Sequence, residues 1–331
     1  MESTLATLTT RDGRPTLRFE RRLAHPPLRV WKAITDPEDL SHWFPARMET
    51  ELEVGAPITF TFEEDFGIDP GGGEILEIDP PRLFAYTWRD DVLRWEIVPD
   101  GQGCRLIFLH TLGDESGGKL AAGRNAAGWD ACLEALEAQL AGRTAEQPRP
   151  EQMLPAMEQY IERFGLGEGA MHEHPDGYLI RFERDLVWRP VDEVWSMLIE
   201  DKDPAVGSEP PRRFANEHAP AGPVTELEQP HHLEFAWLHD GAPVGLIRWE
   251  LTADRTSGSR VTVTASVPSR LADLRAQLLA AYQTHLELFF AALNGDVRPW
   301  PAERTEELEE GYAKRLDRGA SATPSPVRPG V

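Results

Sequence analysis

The sequence predicts an α+β protein of two similar domains, each an antiparallel sheet followed by a long helix. The chain has 331 residues, about twice the usual size of a single domain. Residues 84–110 have the pattern of three strands joined by tight turns, and residues 233–265 repeat this pattern. A helix with a continuous apolar stripe follows each copy. These observations together predict the fold class.

The first copy has the element order strand, two short helices, several strands and a long helix. Thr35 or Asp36 before Pro37 is a helix-start signal, because such side chains cap free N–H groups and proline suits the first helical position. Strands are expected from Leu17, over 58–62 and over 73–78. The long helix is predicted from 119 to 140, since its apolar residues recur at spacings of four, three and four: Trp129, Leu133, Leu136 and Leu140.

The second copy keeps the same elements in the same order. Gly222–Trp237 aligns without a gap to Gly73–Trp88, and RWEL at 248 aligns to RWEI at 94. The helix residues Tyr282, Leu286, Phe289 and Leu293 align to the first stripe. This order over some 140 residues indicates a tandem duplication. The proline-rich segment 200–221 has no counterpart, and its structure is not predicted.

The domain boundaries follow from the repeat and from composition. We expect a flexible leader (1–14), a first domain with its trailing helix (15–165) and a linker (166–176). A second domain with its trailing helix (177–316) and a disordered Pro/Ser tail (317–331) should follow.

Charge and cysteine content limit the possible partners. The formal net charge is −22, which disfavours binding to nucleic acid or to an anionic membrane surface. There is no apolar run long enough to span a bilayer, and the only two cysteines are far apart. A cytoplasmic protein without disulfides, metal or cofactor is therefore expected. The oligomeric state is not predicted.

Several separated motifs resemble one bacterial family. They are FERRLAHPPLRVWKAITDPEDLSHWFP, GGGEILEIDPPRLFAYTW, RLIFLHTL and AAGWDACLEALEAQLAG. Together they resemble domains similar to the C-terminal domain of the activator of the heat-shock-protein-90 ATPase, within the START-like (SRPBCC, helix-grip) superfamily. The resemblance covers 15–143, and more weakly 177–295. It implies an antiparallel curved sheet wrapped around a long C-terminal helix, with a cavity that holds an apolar ligand in many members.

The side chains facing that cavity can be read from the second copy. In its strand 233–237 the charged Glu234 should face solvent, so its neighbours Leu233, Phe235 and Trp237 face the helix. The aligned residues of the first copy should face inward too. Opposite them, the first helix has Ala121, Asn125 and Ala126 where the second has Leu274, Leu278 and Leu279.

Small residues opposite a concave aromatic face predict unfilled volume in the first domain, because a void is unfavourable unless something occupies it. We therefore predict non-enzymatic binding of an apolar or aromatic small molecule there, with the second domain as scaffold or interaction surface. The expected ligand-binding residues are Trp43, Phe60, Phe62, Tyr86, Trp88, Trp95, Phe108, His110, Asn125 and Trp129.

Two other functions remain open. One is a protein-interaction module similar to chaperone-ATPase activators, whose acidic surface meets a basic protein partner. The other is a cyclase-like or hydrolase-like enzyme that uses His110 as acid or base, which would need a second titratable group nearby. No catalytic residue is assigned. His172 and His174 could bind a metal, but no further ligand lies at a useful spacing.

Overall fold

The computed structural model describes residues 5–62, 69–115, 117–145, 148, 152–187, 189–200, 202–254 and 258–321. The chain divides into two compact units. The first comprises Met1–Leu166 together with Ala253–Gly258, and the second comprises Gly167–Thr252 and Ser259–Val331. No helix among the described residues is long and apolar enough to cross a bilayer.

The first unit is an eight-stranded antiparallel sheet with four helices. The sheet order is β1-β2-β8-β7-β6-β5-β4-β3. The strands are β1 Thr7–Arg11, β2 Arg14–Leu23, β3 Arg47–Glu49, β4 Pro57–Thr61, β5 Gly72–Asp79, β6 Leu83–Trp88, β7 Asp91–Asp100 and β8 Gly103–Thr111. The helices are α1 Pro27–Thr35, α2 Pro37–Leu40, α3 Ala122–Leu140 and α4 Leu154–Arg163.

The second unit repeats this plan with six strands in the order β11-β12-β13-β14-β10-β9. The strands are β9 Ala170–His174, β10 Gly177–Asp185, β11 Ala221–Glu228, β12 His232–His239, β13 Ala242–Asp254 and β14 Gly258–Pro268. The helices are α5 Val191–Ile199, α6 Arg275–Leu293 and α7 Ala302–Ser321. The predicted α+β class, with two antiparallel curved sheets and long helices, is confirmed.

The segment 202–220 of the second unit lacks counterparts of β3 and β4 among its described residues. It holds a 3₁₀ turn at Arg212–Phe214 and one isolated bridge between Asn216 and Ala219. Proline has no N–H to give to a strand ladder, and this segment contains Pro204, Pro210, Pro211 and Pro220. Its composition therefore explains the smaller sheet.

In each unit, a tyrosine of the trailing helix is hydrogen-bonded to the long helix. In the first unit, the Tyr160 hydroxyl donates to Asp130 of α3 and accepts from the backbone N–H of Ala6. In the second, the Tyr312 hydroxyl donates to Gln283 of α6 at 2.6 Å and accepts from Gly169 N–H at 2.8 Å. These equivalent contacts are strong structural evidence of the duplication.

The expected leader and linker are not loose, because each contributes an edge strand. Residues 7–11, within the predicted leader 1–14, form β1, which pairs with β2 across the two-residue turn Asp12–Gly13. Residues 170–174, within the predicted linker 166–176, form β9 on the edge of the second sheet. The expected tail also begins later, since α7 runs to Ser321, and residues 322–331 lie outside the described residues.

Candidate functional site

The ten predicted ligand-binding side chains lie in the first unit, and most of them are inside it. Those that are buried are Trp43, Phe60, Tyr86, Trp95, Phe108, His110 and Trp129. The half-buried ones are Phe62, Trp88 and Asn125. Strand alternation explains the buried set, because Trp95 on β7 and Phe108 on β8 are cross-strand partners whose side chains point to the face that α3 covers.

The buried rings pack against one another. The Trp95 and Phe108 rings stack with centroids 3.8 Å apart, and Trp129 of α3 meets Phe108 edge-on at 4.6 Å. Trp43, just after α2, meets Trp95 edge-on at 5.6 Å. Such pairs each contribute about 0.5–1.5 kcal/mol beyond the burial of their area. Much of the predicted set is therefore self-complementary core.

His110 lies in a buried hydrogen-bond chain. The indole N–H of Trp129 donates to His110 Nδ1 at 3.0 Å, and His110 Nε2 lies 2.9 Å from Asp91 Oδ2. Because an indole can only donate, Nδ1 accepts and Nε2 carries the hydrogen that Asp91 receives. The backbone N–H of Gly113 donates to the other Asp91 oxygen at 2.6 Å. Both ring nitrogens of His110 are thus occupied by protein groups.

Asp91 was absent from the predicted site, although a signal for it exists in the sequence. Counting back from the inward-facing Trp95 in steps of two gives Leu93 and then Asp91 at the start of β7. Because Asp91 is charged and lies beside a turn, its side chain would be expected to face solvent, yet it is buried in the structure. It is the second titratable group near His110 that an acid–base mechanism would need.

Tyr86 is also buried inside the first unit. Burial raises the pKa of its phenol well above the usual value, and an interaction with the Trp95 side chain opposes part of this shift. The phenol therefore stays neutral.

One flank of α3 is less tightly covered. Asn125, Gly128, Cys132 and Gln139 lie on it at spacings of three, four and seven residues. Near the C-terminal end of α3, the Gln139 amide donates to Asp39 of α2 at 3.0 Å. Asn125 and Gly128 are half-buried there. A Cβ added to Gly128 would have no atom within 4 Å.

Aromatic rings border this flank. Phe44, which follows α2, packs on Trp129 and on Trp88, in each case with ring centroids 5.7 Å apart. Phe60 stacks on Trp88 at 4.2 Å, and Phe62 lies 6.3 Å from it. The half-buried residues of the predicted set thus include an apolar ring surface and one amide, that of Asn125. This amide makes no hydrogen bond within the described part of the chain.

A separate open groove of about 750 Å³ lies at the edge strand β1. It shares no residue with the predicted set. Its lining residues are Thr7, Leu8, Thr9, Thr10, Pro15, Lys119, Arg163 and Phe164.

The His172–His174 segment lies on β9 with exposed side chains. Within the described ranges, no three His, Cys, Asp or Glu side chains come together as metal ligands would. Both cysteines are buried, and burial raises the pKa of the Cys132 thiol to about 12. These groups offer neither a metal site nor a reactive thiolate.

Comparison with known families gives a match in the first unit. Residues 24–141 match the family described as "Activator of Hsp90 ATPase homolog 1-like protein". The match spans α1 to α3, about a third of the chain, so the similarity lies in the unit that holds the aromatic interior. The predicted resemblance is confirmed. A comparison with curated proteins gives no match.

Solved structures of bacterial proteins are similar to about half of the chain. A conserved protein of unknown function, EF2215 from Enterococcus faecalis, has 17% identity and a TM-score of 0.42, covering 48% of this chain and 90% of its own. CalU16 from Micromonospora echinospora has 21% identity and a TM-score of 0.38, covering 50% of this chain and 95% of its own. The protein encoded by BPP1335 of Bordetella parapertussis has 26% identity and a TM-score of 0.36, covering 49% of this chain and 95% of its own.

Proposed function

We propose that the chain is a non-enzymatic binding protein for an apolar or aromatic small molecule, held in the first unit at the flank of α3 that carries Asn125 and Gly128. The observation that carries this proposal is the open position at Gly128, next to the buried Trp129 and on the same flank as Asn125. Similarity to the matched family supports a ligand-binding or interaction module in general terms.

The chemistry of this flank favours an uncharged ligand. Its walls are the rings of Phe44, Trp88 and Trp129, and the polar groups of His110 and Tyr86 are used internally. Desolvating an ionic ligand without a counter-charge would be unfavourable. The Asn125 side chain offers an NH₂ group that donates and a carbonyl oxygen that accepts, which suits a single polar substituent on an otherwise apolar molecule.

A pair of substitutions at Gly128 tests the site. Gly128→Leu fills the open position, whereas Gly128→Ala adds one methyl group and serves as the matched control. Both should stabilise α3 by up to about 1 kcal/mol, because glycine is a poor helix former. Naphthalene serves as the probe, and calorimetry on the full chain measures its affinity. The Gly128→Ala variant should retain naphthalene binding, whereas Gly128→Leu should weaken it at least about tenfold. Equal affinity in both variants would exclude this flank.

A second candidate function, protein interaction, is favoured by an exposed loop. The sequence Glu51-Leu52-Glu53-Val54 between β3 and β4 exposes 43% of Leu52 and 64% of Val54 beside two carboxylates. Apolar surface of this kind can mark a docking site. If the first unit activates a chaperone ATPase, Leu52→Ser with Val54→Ser should abolish stimulation of the Hsp90-type ATPase from the same source. Unchanged stimulation would exclude this loop.

An enzyme that uses His110 gains less support. Asp91 provides the second titratable group, but both imidazole nitrogens already have protein partners, so neither faces a substrate. A cytoplasmic location and the avoidance of nucleic acid remain predictions from composition.

A further inference from the structure

The interior of the second unit differs from that of the first at matched positions. Helices α3 and α6 have 19 residues each, and Trp129 and Tyr282 both occupy the eighth position. The pairing of neighbouring strands also gives equivalent positions in the two sheets. Trp95 pairs with Phe84, and Trp249 pairs with Leu233, the residue aligned to Phe84. The two interiors can therefore be compared residue by residue.

Two polar groups that interact with ring side chains in the first unit are missing from the second. The residue aligned to Tyr86, whose side chain interacts with Trp95, is Phe235, which has no hydroxyl. The position of His110, which receives the Trp129 N–H, is taken by Ala265, since these residues pair with Leu17 of β2 and Ile180 of β10.

The donors themselves are retained. Trp249 Nε1 and the Tyr282 hydroxyl are buried and have no hydrogen-bond partner within the described residues. Trp195 Nε1 on α5 is in the same state, and Phe214 contacts the rings of both Trp195 and Trp249. An unpaired buried donor is unfavourable, so three of them in one interior point to an acceptor from outside the chain.

The sheet side of this interior has also lost volume. Val263 of β14 occupies the position of Phe108, as shown by its pairing with Phe182, and Ala265 occupies that of His110. A phenyl ring and an imidazole are thus replaced by an isopropyl and a methyl group. The leucines at 278 and 279 of α6 are larger than their counterparts Asn125 and Ala126, but they lie one turn before Tyr282.

One neighbour of these donors, His285, is uncharged near pH 7. His285 contacts the rings of Trp249 and Tyr282, with centroids 5.1 and 6.0 Å away. Its Nε2 donates to the Arg213 carbonyl at 3.0 Å, and burial lowers the pKa of His285 to about 4. The imidazole is therefore neutral near pH 7.

Half-buried residues beside His285 connect this ring cluster to the protein surface. Trp300, which follows α6, lies 6.5 Å from His285 and 5.4 Å from His218, and the Asn216 amide is 3.4 Å from His285 Nδ1. Trp300, His218 and Asn216 are all half-buried.

We propose that the second unit is itself a binding unit, whose interior takes a small neutral carbonyl compound that accepts hydrogen bonds from Trp249 and Tyr282. This assigns it a ligand distinct from the apolar ligand of the first unit, in place of the scaffold role expected from its leucines. Neutral donors favour a neutral acceptor, and a carbonyl oxygen has two lone pairs for two donors.

The test uses the full chain and two probes of nearly equal shape, acetophenone and cumene, which differ in having a carbonyl or a CH–CH₃ group. Acetophenone should bind at least about tenfold more tightly than cumene and shift the indole N–H resonance of Trp249 in ¹H–¹⁵N NMR spectra. Trp249→Phe and Tyr282→Phe should each weaken acetophenone binding by about tenfold, with little effect on cumene.

Two stability measurements keep the test independent of probe choice. Tyr282→Phe removes an unpaired hydroxyl, so it should raise the melting temperature of the ligand-free protein. Phe235→Tyr restores the hydroxyl that Tyr86 provides in the first unit, and it should weaken acetophenone binding by pairing with Trp249. The proposal is overturned if acetophenone and cumene bind equally, if neither binds, or if Tyr282→Phe lowers the melting temperature.

Discussion

Acidification should destabilise the second unit through His285. This imidazole is buried among Trp249, Tyr282 and Trp300, and burial lowers its pKa from 6.5 to about 4, with the Arg213 carbonyl opposing part of the shift. Between these two values the unfolded chain binds a proton at His285 and the folded chain does not. The contribution of His285 to stability is therefore complete above pH 6.5 and is lost as the pH falls to about 4.

The magnitude follows from the size of the shift. The pKa of His285 falls from 6.5 to about 4, and each unit of pKa difference corresponds to ~1.4 kcal/mol. The free energy of unfolding should therefore decrease by about 3 kcal/mol on acidification. Domains are typically stable by about 5–15 kcal/mol, so such a loss is readily measured. It should fall on the second unit, since His285 lies on α6.

The assay is urea unfolding at several pH values, with pulsed hydrogen–deuterium exchange read separately on peptides from α6 and α3. His285→Gln is the matched variant, because its amide can still donate to Arg213 but cannot titrate in this range. The wild-type chain should lose about 3 kcal/mol more than the variant between pH 6.5 and 4 at α6. Equal losses in the two proteins, or an NMR titration of His285 near pH 6.5, would refute the reasoning.

Three further outcomes are expected. Gly73→Ala should strongly destabilise the first unit, since its Cβ would overlap the carbonyl oxygen of Thr87, and thermal unfolding measures this. Trp129→Phe should lower the free energy of unfolding by about 1–3 kcal/mol, because His110 Nδ1 loses its donor; an unchanged value in urea would contradict this. Cys132 should resist iodoacetamide in the native protein and react after unfolding, as mass spectrometry would show, because burial suppresses its thiolate.

The sequence was most informative where two copies could be compared. Glu234 in the second copy oriented a strand whose first copy is apolar on both faces, and the structure buries Leu233, Phe235 and Trp237 as that alternation predicts. The family resemblance of the first domain followed from separated motifs, which the match over 24–141 confirms. Periodicity and order therefore sufficed for the fold class.

Contacts set by register and by turns were harder to predict. Asp91, His110 and Trp129 are separated by 19 residues at each step, so their hydrogen bonds depend on how β7, β8 and α3 align. The edge strand β1 was missed because its polar Thr-rich sequence looked like a leader, although Asp12–Gly13 is a strong hairpin signal. Equally, no pattern within one copy shows that Trp249 lacks a partner, since that depends on the loss of a hydroxyl at position 235.

The claim that the first unit binds an apolar aromatic molecule is tested most directly by intermolecular NOEs between naphthalene and the isotope-labelled full chain. We predict NOEs to the Trp88 indole and the Asn125 amide, retained in Gly128→Ala and lost in Gly128→Leu. NOEs confined to other residues, or an unchanged pattern in Gly128→Leu, would contradict the account.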